Sequence, residues 1–505
     1  MLYAVPTAWY PFGSDQGIHW YLGHALLHGE MPYASGISGK PPLIFVVHAI
    51  AETLFGNRQS SIRILEIACL PLFGWLIARG VRRPSLPTRD GEQGAAAMLL
   101  SAANFTYQDY WNTAHPEFYM TLALFGALVI ALHAKRPRRR ALWVGALCMV
   151  AFLLKYPGAA VAIPIAGFCG FRALNLEQSL RPTQASLLAL VREAAWFVIG
   201  AAVVLGLCVL PFALTGTMRE MIEVCVKMTE VYAGSAGFPY DWYVPLLDPE
   251  RQGPLFVTCA ALFGLGLSIS AIRRNWKELA FGAFCLTLAI ASIVSVVLQK
   301  RLFNYHWIAT YPFFVALAVW GLRQGAALVH PRASAPLLLA AGLTCTAAAF
   351  LSQPQFITLV PHTYREHVTR WWSVMQGEVA FDDYRRTYHR VAQADKFGDL
   401  ILAADVVRER ARPGDFVCLT CFISPIYQLS GLRCNTRHAI GTFTGLGPRS
   451  WTTEYNQHLR DDPPRFMVSI RSYPRRNKQL IQHGYREIAR YGTVIVFERF
   501  GPKAR

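Results

Sequence analysis

The sequence predicts a polytopic α-helical membrane protein that carries an α/β domain at its C-terminal end. Of its 505 residues, 53% are hydrophobic and 16% are charged, whereas soluble domains carry about 25% charged residues. Long apolar runs alternate with short arginine-rich connections, which is the pattern of a helical bundle in a membrane. Over about the last 150 residues this pattern gives way to short apolar strands between polar helical stretches. We therefore expect a transmembrane domain over 1–352 and a soluble domain over 353–505.

Eleven apolar segments follow one another along the first domain. A spanning helix needs about 20 residues, and the segment 41–56 is shorter, opens with two prolines and carries His48 and Glu52 one turn apart. We expect it to lie at the membrane interface as an amphipathic helix. The others predict about ten spanning helices, at 60–80, 93–108, 116–134, 141–155, 157–173, 193–214, 254–272, 277–298, 303–322 and 333–352.

The first residues, MLYAVPTAWYPFGSD, contain about a dozen mildly apolar positions before a polar loop, which is too short to cross a bilayer. Either the chain starts on the outer side or a spanning helix precedes this start. We favour a preceding helix.

Clusters of Arg and Lys orient the bundle, because cytoplasmic loops are enriched in these residues. The strongest cluster is KRPRRR at 135–140. Further inside markers are Arg79, Arg82, Arg83, Arg89, Arg273, Arg274, Lys277, Arg323 and Arg332. With these loops inside, an outer first loop (10–58), a long outer loop (215–253) and the soluble domain all face outward. The sequence thus predicts a multi-pass protein of the inner (plasma) membrane with a periplasmic C-terminal domain.

The soluble domain is expected to start with an interfacial helix, YREHVTRWWSVMQ, anchored by Trp371 and Trp372. A helical stretch at 383–412 and another at 474–484 alternate with the apolar strands DFVCLT, RFMVSI and TVIVFER, which predicts a small α/β domain. Cysteines at 418, 421 and 434 and a histidine at 438 have zinc-finger spacing. A disulfide or simple burial is favoured over zinc, because residues three apart on a strand point to opposite faces and the compartment is oxidising.

The formal net charge is +18. Part of it lies in the short loops that set topology, and the rest in the soluble domain, which could face anionic lipid or bind an anionic substrate. We expect no nucleic-acid binding, because no basic and aromatic motif stands outside the membrane framework.

Residues 13–42, GSDQGIHWYLGHALLHGEMPYASGISGKPP, are the densest polar constellation. Asp15 follows a Gly-Ser turn and opens a short helix. A carboxylate beside a membrane can act as a general base if desolvation keeps its pKa useful. It can equally cap a helix N-terminus, and these residues alone do not decide between the two roles.

Several short stretches together resemble one enzyme class. They are Asp15-x-Gly17, Gly29-x-x-Pro32-Tyr33, Lys40-Pro41-Pro42, Leu54-Phe55-Gly56, Ile62-Arg63, Asp109, His115-Pro116-Glu117, Lys155 before Tyr-Pro-Gly, and Asn304-Tyr305-His306 leading to Pro312. Over about residues 10–325 the chain resembles the GT-C glycosyltransferases, most closely the family 39 group of protein mannosyltransferase-like and aminoarabinose-transferase-like enzymes. The resemblance implies sugar transfer from a polyprenyl-phosphate donor to an envelope acceptor on the outer face, with Asp15 as the base. Many relatives have a second acid after this position, where Gln16 stands here.

In such a reaction the leaving phosphate is already anionic, so it needs cations more than a general acid. The candidates to hold it are Lys40, Arg63, Lys155, Lys300 and Arg301. Each also has a structural alternative, such as snorkelling from a helix end. The candidates to bind sugar or acceptor are Tyr33, Asp109, His115, Glu117, Tyr305 and His306. We expect no cofactor and no metal, since two acids eight residues apart, Asp109 and Glu117, are weak support for a divalent ion.

Three other functions are compatible with the sequence. A transporter or flippase of lipid-linked sugars would also need outer-face cations, although neither internal repeats nor broken midplane helices are visible. A non-catalytic envelope protein that binds a partner through its C-terminal domain would leave Asp15 dispensable. A polymerase or ligase that uses diphosphate-linked oligosaccharides would differ in its donor only.

Overall fold

The structure is a computed structural model that describes residues 2–83, 91–174, 183–234, 237, 240–248, 252–328, 331–351, 364–388 and 396–500. Of the residues singled out above, Arg89 and the beginning of the soluble domain at 353–363 lie outside the described residues, as does the side chain of Arg332.

The transmembrane domain opens with a 3-10 helix, Leu2–Trp9, and its described part is otherwise helical. The α-helices are α1 (Ser14–Leu27), α2 (Leu43–Phe55), α3 (Ser60–Gly80), α4 (Glu92–Thr106), α5 (Pro116–His133), α6 (Pro137–Leu154), α7 (Ala159–Ala173), α8 (Gln184–Leu214), α9 (Met218–Ile222), α10 (Thr229–Gly234), α11 (Val244–Leu247), α12 (Gly253–Ile272), α13 (Trp276–Val297), α14 (Tyr311–Ala326) and α15 (Pro331–Leu351). Shorter turns are a π-helix at Glu223–Met228 and 3-10 helices at Tyr156–Gly158 and Asn304–Ala309.

Every apolar segment predicted from the sequence is helical, and the protein is an integral membrane protein. Within the described chain, five helices are long and apolar enough to cross a bilayer: α3, α5, α8, α12 and α13. Helix α6 is of sufficient length but begins with three arginines after its first proline, and α4, α7 and α14 have 15 or 16 residues each. The expected number of about ten spans therefore stays a prediction, as does the interfacial position of the 13-residue helix α2.

Glycines allow the closest helix contacts in the bundle. A Cβ atom on Gly145 of α6 would lie 2.0 Å from the Phe197 carbonyl oxygen of α8, and one on Gly200 would lie 2.0 Å from that of Leu142. Membrane helices associate largely through such close backbone approach, because lipid tails provide no hydrophobic drive between helices. These glycines therefore fix how tightly α6 and α8 pack.

Helices α5 and α6 give the bundle its two ends. Each has 18 residues, and such a helix rises about 27 Å. The basic stretch 135–140, which includes the first residues of α6, lies at one end, while His115, before α5, and Lys155, after α6, lie at the other. The residues predicted to face outward are thus at the end of the bundle opposite the strongest predicted inside marker.

The part of the chain expected to form the soluble domain contains, in its described residues, helices around one small sheet. Its elements are α16 (Tyr364–Met375), α17 (Phe381–Arg386), α18 (Phe397–Arg410), β1 (Val417–Leu419), α19 (Pro425–Ser430), α20 (Arg449–Asp461), β2 (Phe466–Ile470), α21 (Pro474–Gln482), β3 (Tyr485–Tyr491) and β4 (Val494–Arg499). The order of the strands is β1-β2-β4-β3, with β1 and β2 parallel and the other pairs antiparallel. The three strands predicted from the apolar runs are present as β1, β2 and β4. Strand β3 was not predicted, because Arg486, Glu487 and Arg490 break its apolar pattern at an exposed edge.

Cys418 and Cys434 form a disulfide, which is one of the two outcomes favoured for these cysteines. Neither cysteine is therefore available as a zinc ligand, and Cys421 is buried outside any disulfide. The bridge ties β1 to the segment that follows α19.

The soluble domain packs directly on the first outer loop. The Ser14 hydroxyl donates to the Phe422 carbonyl over 2.5 Å, and the Ser424 hydroxyl donates back to the Ser14 carbonyl. A Cβ atom on Gly17 would lie 2.6 Å from the Ser424 hydroxyl oxygen, so only glycine permits this approach. Helix α1, which begins the polar constellation, is therefore held between the bundle and the soluble domain.

Candidate active site

A cavity of about 630 Å³ opens at the bundle end that carries the soluble domain. The first loop, the ends of α6 and α13, the π-helix region and the soluble domain all contribute to its wall. The lining residues are Asp15, Ile18, Ser38, Gly39, Lys40, Pro41, Trp111, Lys155, Tyr156, Pro157, Met228, Thr229, Leu298, Gln299, Phe303, Tyr305, His306, Phe422, Phe443 and Leu446. One carboxylate and two ammonium groups thus share a largely apolar chamber.

Asp15 lies in the first turn of α1 and lines the cavity. The N-cap of this helix is Gly13, and no side chain caps it, so the capping role considered for Asp15 is not the one observed. The half-buried carboxylate makes no hydrogen bond with any residue in the described part of the chain. It is therefore free to accept a proton from a group bound in the cavity.

Lys155 follows the last residue of α6 and reaches the cavity while only 6% exposed. Its ammonium group is paired with the Glu117 carboxylate, which α5 supplies from its first turn. Burial lowers the pKa of Lys155 to about 8, although Glu117 acts in the opposite direction. The group is thus charged at neutral pH and close to losing its proton under mildly alkaline conditions.

Both ammonium groups lie close to the ring of Tyr305. Lys40 Nζ is 5.3 Å and Lys155 Nζ is 5.0 Å from the centre of its ring, within the range of a cation–π interaction. The His115 ring stacks on Tyr305 with 4.1 Å between centroids and 19° between planes. This aromatic pair keeps both cations at the cavity wall.

His115 and His306 are buried beside these cations. Burial, and then the charge of Lys40, hold the pKa of His115 well below its usual value. Burial, and then the charge of Lys155, do the same for His306, whose Nδ1 lies 2.5 Å from the Arg301 carbonyl oxygen. Both rings are therefore neutral at pH 7 and suited to hydrogen bonding rather than to phosphate neutralisation.

Tyr33 is fully buried and does not line the cavity. Its φ of 70° is in the left-handed region, which non-glycine residues adopt at a cost of about 1 kcal/mol or more. Its hydroxyl donates to the Lys40 carbonyl over 2.7 Å. Tyr33 therefore positions Lys40, whereas the sequence suggested a direct contact with acceptor.

Asp109 is also buried behind the wall. Its Oδ1 accepts from the backbone N–H groups of Trp111 (2.7 Å) and Asn112 (3.0 Å), which closes a tight turn. That turn presents the Trp111 side chain to the cavity. The Gln16 amide nitrogen fixes the same loop by donating to the carbonyls of Trp111 and Thr113, at 2.7 Å each.

Arg63 lies outside the cavity lining, fully buried near the start of α3. Its guanidinium donates to the Tyr110 carbonyl over 2.5 Å and to the Thr113 hydroxyl over 2.5 Å. These contacts hold the second outer loop, and Glu66 one turn further along α3 accepts from the Ala114 N–H over 2.9 Å. We therefore regard Arg63 as a positioning residue.

Lys300 and Arg301 follow α13 beside Gln299, which does line the cavity. The Lys300 side chain is exposed and its backbone is left-handed, with φ of 55°. Neither basic side chain contributes to the wall. The structure thus separates this pair from Lys40 and Lys155.

Several lining residues were not singled out from the sequence. Apolar side chains of the soluble domain, Phe422, Phe443 and Leu446, close one side of the chamber. No local pattern marks them, since they meet the first loop only through tertiary packing. Within the described residues no three His, Cys, Asp or Glu side chains are grouped as in a metal site.

Part of the chain matches a glycosyltransferase family model, and its fold is similar to that of solved ArnT structures. Residues 39–199 match the model of the family described as dolichyl-phosphate-mannose-protein mannosyltransferase. The whole chain is similar to ArnT from Cupriavidus metallidurans bound to undecaprenyl phosphate, with 14% identity, a TM-score of 0.53 and coverage of 98% of this chain and 95% of that one. ArnT from the same organism in the apo state has 14% identity to this chain and a TM-score of 0.55, with coverage of 97% of this chain and 95% of that one.

No curated protein matches the chain. The resemblance inferred from the motifs, to protein mannosyltransferase-like and aminoarabinose-transferase-like enzymes of GT-C type, is confirmed.

Proposed function

We propose that this protein transfers a sugar from a polyprenyl-phosphate-linked donor to a hydroxyl group of an envelope acceptor, on the outer face of the membrane. The observation that carries the proposal is the shared cavity, in which an unbonded carboxylate, Asp15, faces the ammonium groups of Lys40 and Lys155. One solved structure of the same fold is bound to undecaprenyl phosphate, which supports a donor of this type.

The reaction is a direct displacement. Asp15 takes the proton of the acceptor hydroxyl while the acceptor oxygen attacks the anomeric carbon. The bond between that carbon and the phosphate oxygen breaks, and the phosphate leaves with the bonding electrons. Since the nucleophile enters opposite the leaving group, the anomeric configuration is inverted. The proton remains on Asp15 until water removes it.

Lys40 and Lys155 are the proposed ligands of the leaving phosphate. Charge-assisted hydrogen bonds to phosphate are shorter and stronger than neutral ones, and they strengthen as charge moves onto the leaving oxygen. Lys155 is suited to this role because its burial reduces competition from water, whereas the pairing with Glu117 keeps it charged. Arg63, Lys300 and Arg301 are left out of this set because they do not line the cavity.

The apolar part of the cavity wall is the proposed binding surface for the prenyl chain of the donor. Leu298 and Phe303 extend the cavity at the end of α13, and Phe303 is 42% exposed. A prenyl chain can lie along this side while its phosphate reaches the lysines. The wall supplied by the soluble domain is the proposed acceptor side.

The proposed orientation places the cavity and the soluble domain on the periplasmic side of the membrane. It is supported by the basic connection 135–140 at the opposite bundle end. The disulfide between Cys418 and Cys434 also supports it, since disulfides persist in oxidising compartments such as the periplasm.

The test is sugar transfer by purified protein in lipid vesicles, with a panel of polyprenyl-phosphate sugars and envelope extract as acceptor. Asp15→Asn is expected to lower turnover about a thousandfold, the usual scale for loss of a general base. The matched control is Glu30→Gln, which removes a half-exposed carboxylate of the same loop outside the cavity. It is expected to transfer at the wild-type rate.

Equal transfer by wild type and Asp15→Asn would exclude Asp15 as the base. If no variant transfers sugar but the lipid-linked sugar crosses the bilayer, the protein is a transporter of the donor. If neither occurs while envelope material binds to the soluble domain, the protein is a binding component.

A further inference from the structure

A second cavity, of about 410 Å³, lies at the other end of the bundle. It is formed where the start of α6, the end of α7 and the first half of α8 meet. Its lining residues are Pro137, Arg138, Arg140, Arg172, Ala173, Ala189, Arg192, Glu193 and Trp196. The proposed sugar transfer uses none of them.

Its charge is strongly unbalanced. Four arginines line it, whereas Glu193 is the one carboxylate among the described residues that do. Glu193 is already bound by Arg140, whose Nη2 contacts its two oxygens at 2.6 and 2.8 Å. Arg172 donates to the carbonyls of Ala131 and Leu132, at 2.7 and 3.0 Å. Arg138 and Arg192 are therefore the lining arginines that form no ion pair with a carboxylate of the described residues.

Arg140 provides a further polar group for a ligand. This side chain is 4% exposed, and its Nε is buried without a hydrogen-bond partner. Buried guanidinium N–H groups are normally satisfied, because leaving one unpaired costs about 1–3 kcal/mol. An anionic oxygen bound in the cavity would supply the missing acceptor.

The N-terminus of α6 adds to this positive potential. The helix begins at Pro137 after the N-cap Arg136, and no side chain caps it. Its first N–H groups and the positive end of its dipole favour an anion at this position.

The position of the cavity across the membrane matches the level of the lipid headgroups. From Arg192 to Leu214, helix α8 rises about 33 Å, close to the hydrocarbon thickness of about 30 Å. Most of the intervening surface is apolar and exposed, for example at Val198 and Leu207. The Arg138 guanidinium stacks on the Trp196 ring at 3.9 Å, and tryptophan is enriched at membrane interfaces.

We propose that this cavity binds the phosphate of an anionic phospholipid in the leaflet opposite the one that the Asp15 cavity faces. Arginine suits this ligand because its planar guanidinium presents several donors to phosphate oxygens. Basic pockets between membrane helices bind anionic headgroups in this manner. The acyl chains lie along the apolar face of α8.

The test uses the full chain in nanodiscs of phosphatidylcholine with a minor fraction of phosphatidylglycerol, followed by mild delipidation and native mass spectrometry. Wild type is expected to retain phosphatidylglycerol selectively. The double variant Arg138→Gln/Arg192→Gln changes two exposed side chains, so folding is retained, and its retention is expected to fall at least about tenfold. The matched control Arg139→Gln removes an exposed arginine of the same connection that does not line the cavity.

Wild-type retention by the double variant would overturn the proposal. So would an equal loss in Arg139→Gln, which would indicate only a diffuse attraction to the basic loop. A titration with inorganic phosphate in phosphatidylcholine nanodiscs, read as a shift in Tm, separates the two sources of phosphate. A shift as large as that given by phosphatidylglycerol would mean that the ligand is a soluble anion and that the lipid assignment is wrong.

Discussion

The Tyr33 hydroxyl donates a hydrogen bond to the Lys40 carbonyl over 2.7 Å, behind the wall of the main cavity. Tyr33 itself is fully buried and has a left-handed backbone. The bond therefore joins a strained turn to the backbone of a residue proposed to hold phosphate. Small changes at Tyr33 are expected to act through the position of Lys40.

Tyr33→Phe tests this relationship. Loss of one hydrogen bond costs about 1 kcal/mol, which corresponds to a roughly fivefold rise in donor KM. The kcat is expected to stay near wild type, because Tyr33 does not reach the cavity. Steady-state kinetics in donor concentration measures both constants. Tyr491→Phe, in strand β3, is the control and should change neither; a fall in kcat with unchanged KM would contradict the positioning role.

Donor binding is expected to weaken as pH rises through about 8. Lys155 has a pKa of about 8 because burial lowers it, so its ammonium is charged below this pH and neutral above it. Only the charged form attracts the donor phosphate. The measurement is donor KM against pH. Lys155→Arg should remove this transition, since arginine stays protonated; a transition that persists in this variant would assign it to another group.

Glu117→Gln is expected to move the same transition to lower pH. The Glu117 carboxylate raises the Lys155 pKa, in opposition to burial, and its removal leaves burial the stronger influence. At neutral pH the variant should therefore bind donor more weakly than wild type, and the difference should shrink as pH falls. Glu30→Gln provides the charge-matched comparison. An unchanged pH profile would show that Glu117 does not control Lys155.

Gln16→Glu is expected to destabilise the protein by about 2–4 kcal/mol, because the new carboxylate would face two backbone carbonyls in a buried site. The Gln16 amide nitrogen now donates to both of them. The Tm of the protein in detergent micelles measures the effect. The same change at the exposed residue Gln376 should leave the Tm within error, and an equal loss at both positions would contradict the argument.

Replacing Cys418 and Cys434 by serine should destabilise the soluble domain. They are 16 residues apart, and closing a loop of about this size contributes about 3 kcal/mol. Reductant should lower the Tm of wild type towards that of the double variant and should not affect the variant. A reductant effect of equal size in the variant would point to another thiol.

Whether a feature could be predicted from the sequence depends on how far apart along the chain its interacting residues are. Hydropathy and arginine placement predicted the helical segments and the cavity end, because both are local signals. Asp15, Lys40, Lys155, Tyr305 and His306 were singled out because their motifs resemble those of GT-C glycosyltransferases, and the structure places all five at one cavity. Their proposed roles remain to be tested.

The sequence could not show which of the other candidate site residues are buried behind the wall of the main cavity. Arg63 and Asp109 are near helix ends too, yet their partners are backbone groups of the second outer loop. Whether a buried polar side chain faces a cavity or a carbonyl depends on tertiary contacts with distant residues. The soluble-domain contribution of Phe422 was hidden for the same reason.

The contact between Gly17 and Ser424 has a consequence for engineering. The soluble domain lies against the helix that carries Asp15. It therefore cannot be exchanged as an independent module. A chimera that takes this domain from a relative must also take the matching first outer loop, or the two surfaces will not fit. Swaps intended to change acceptor choice should therefore exchange both segments together.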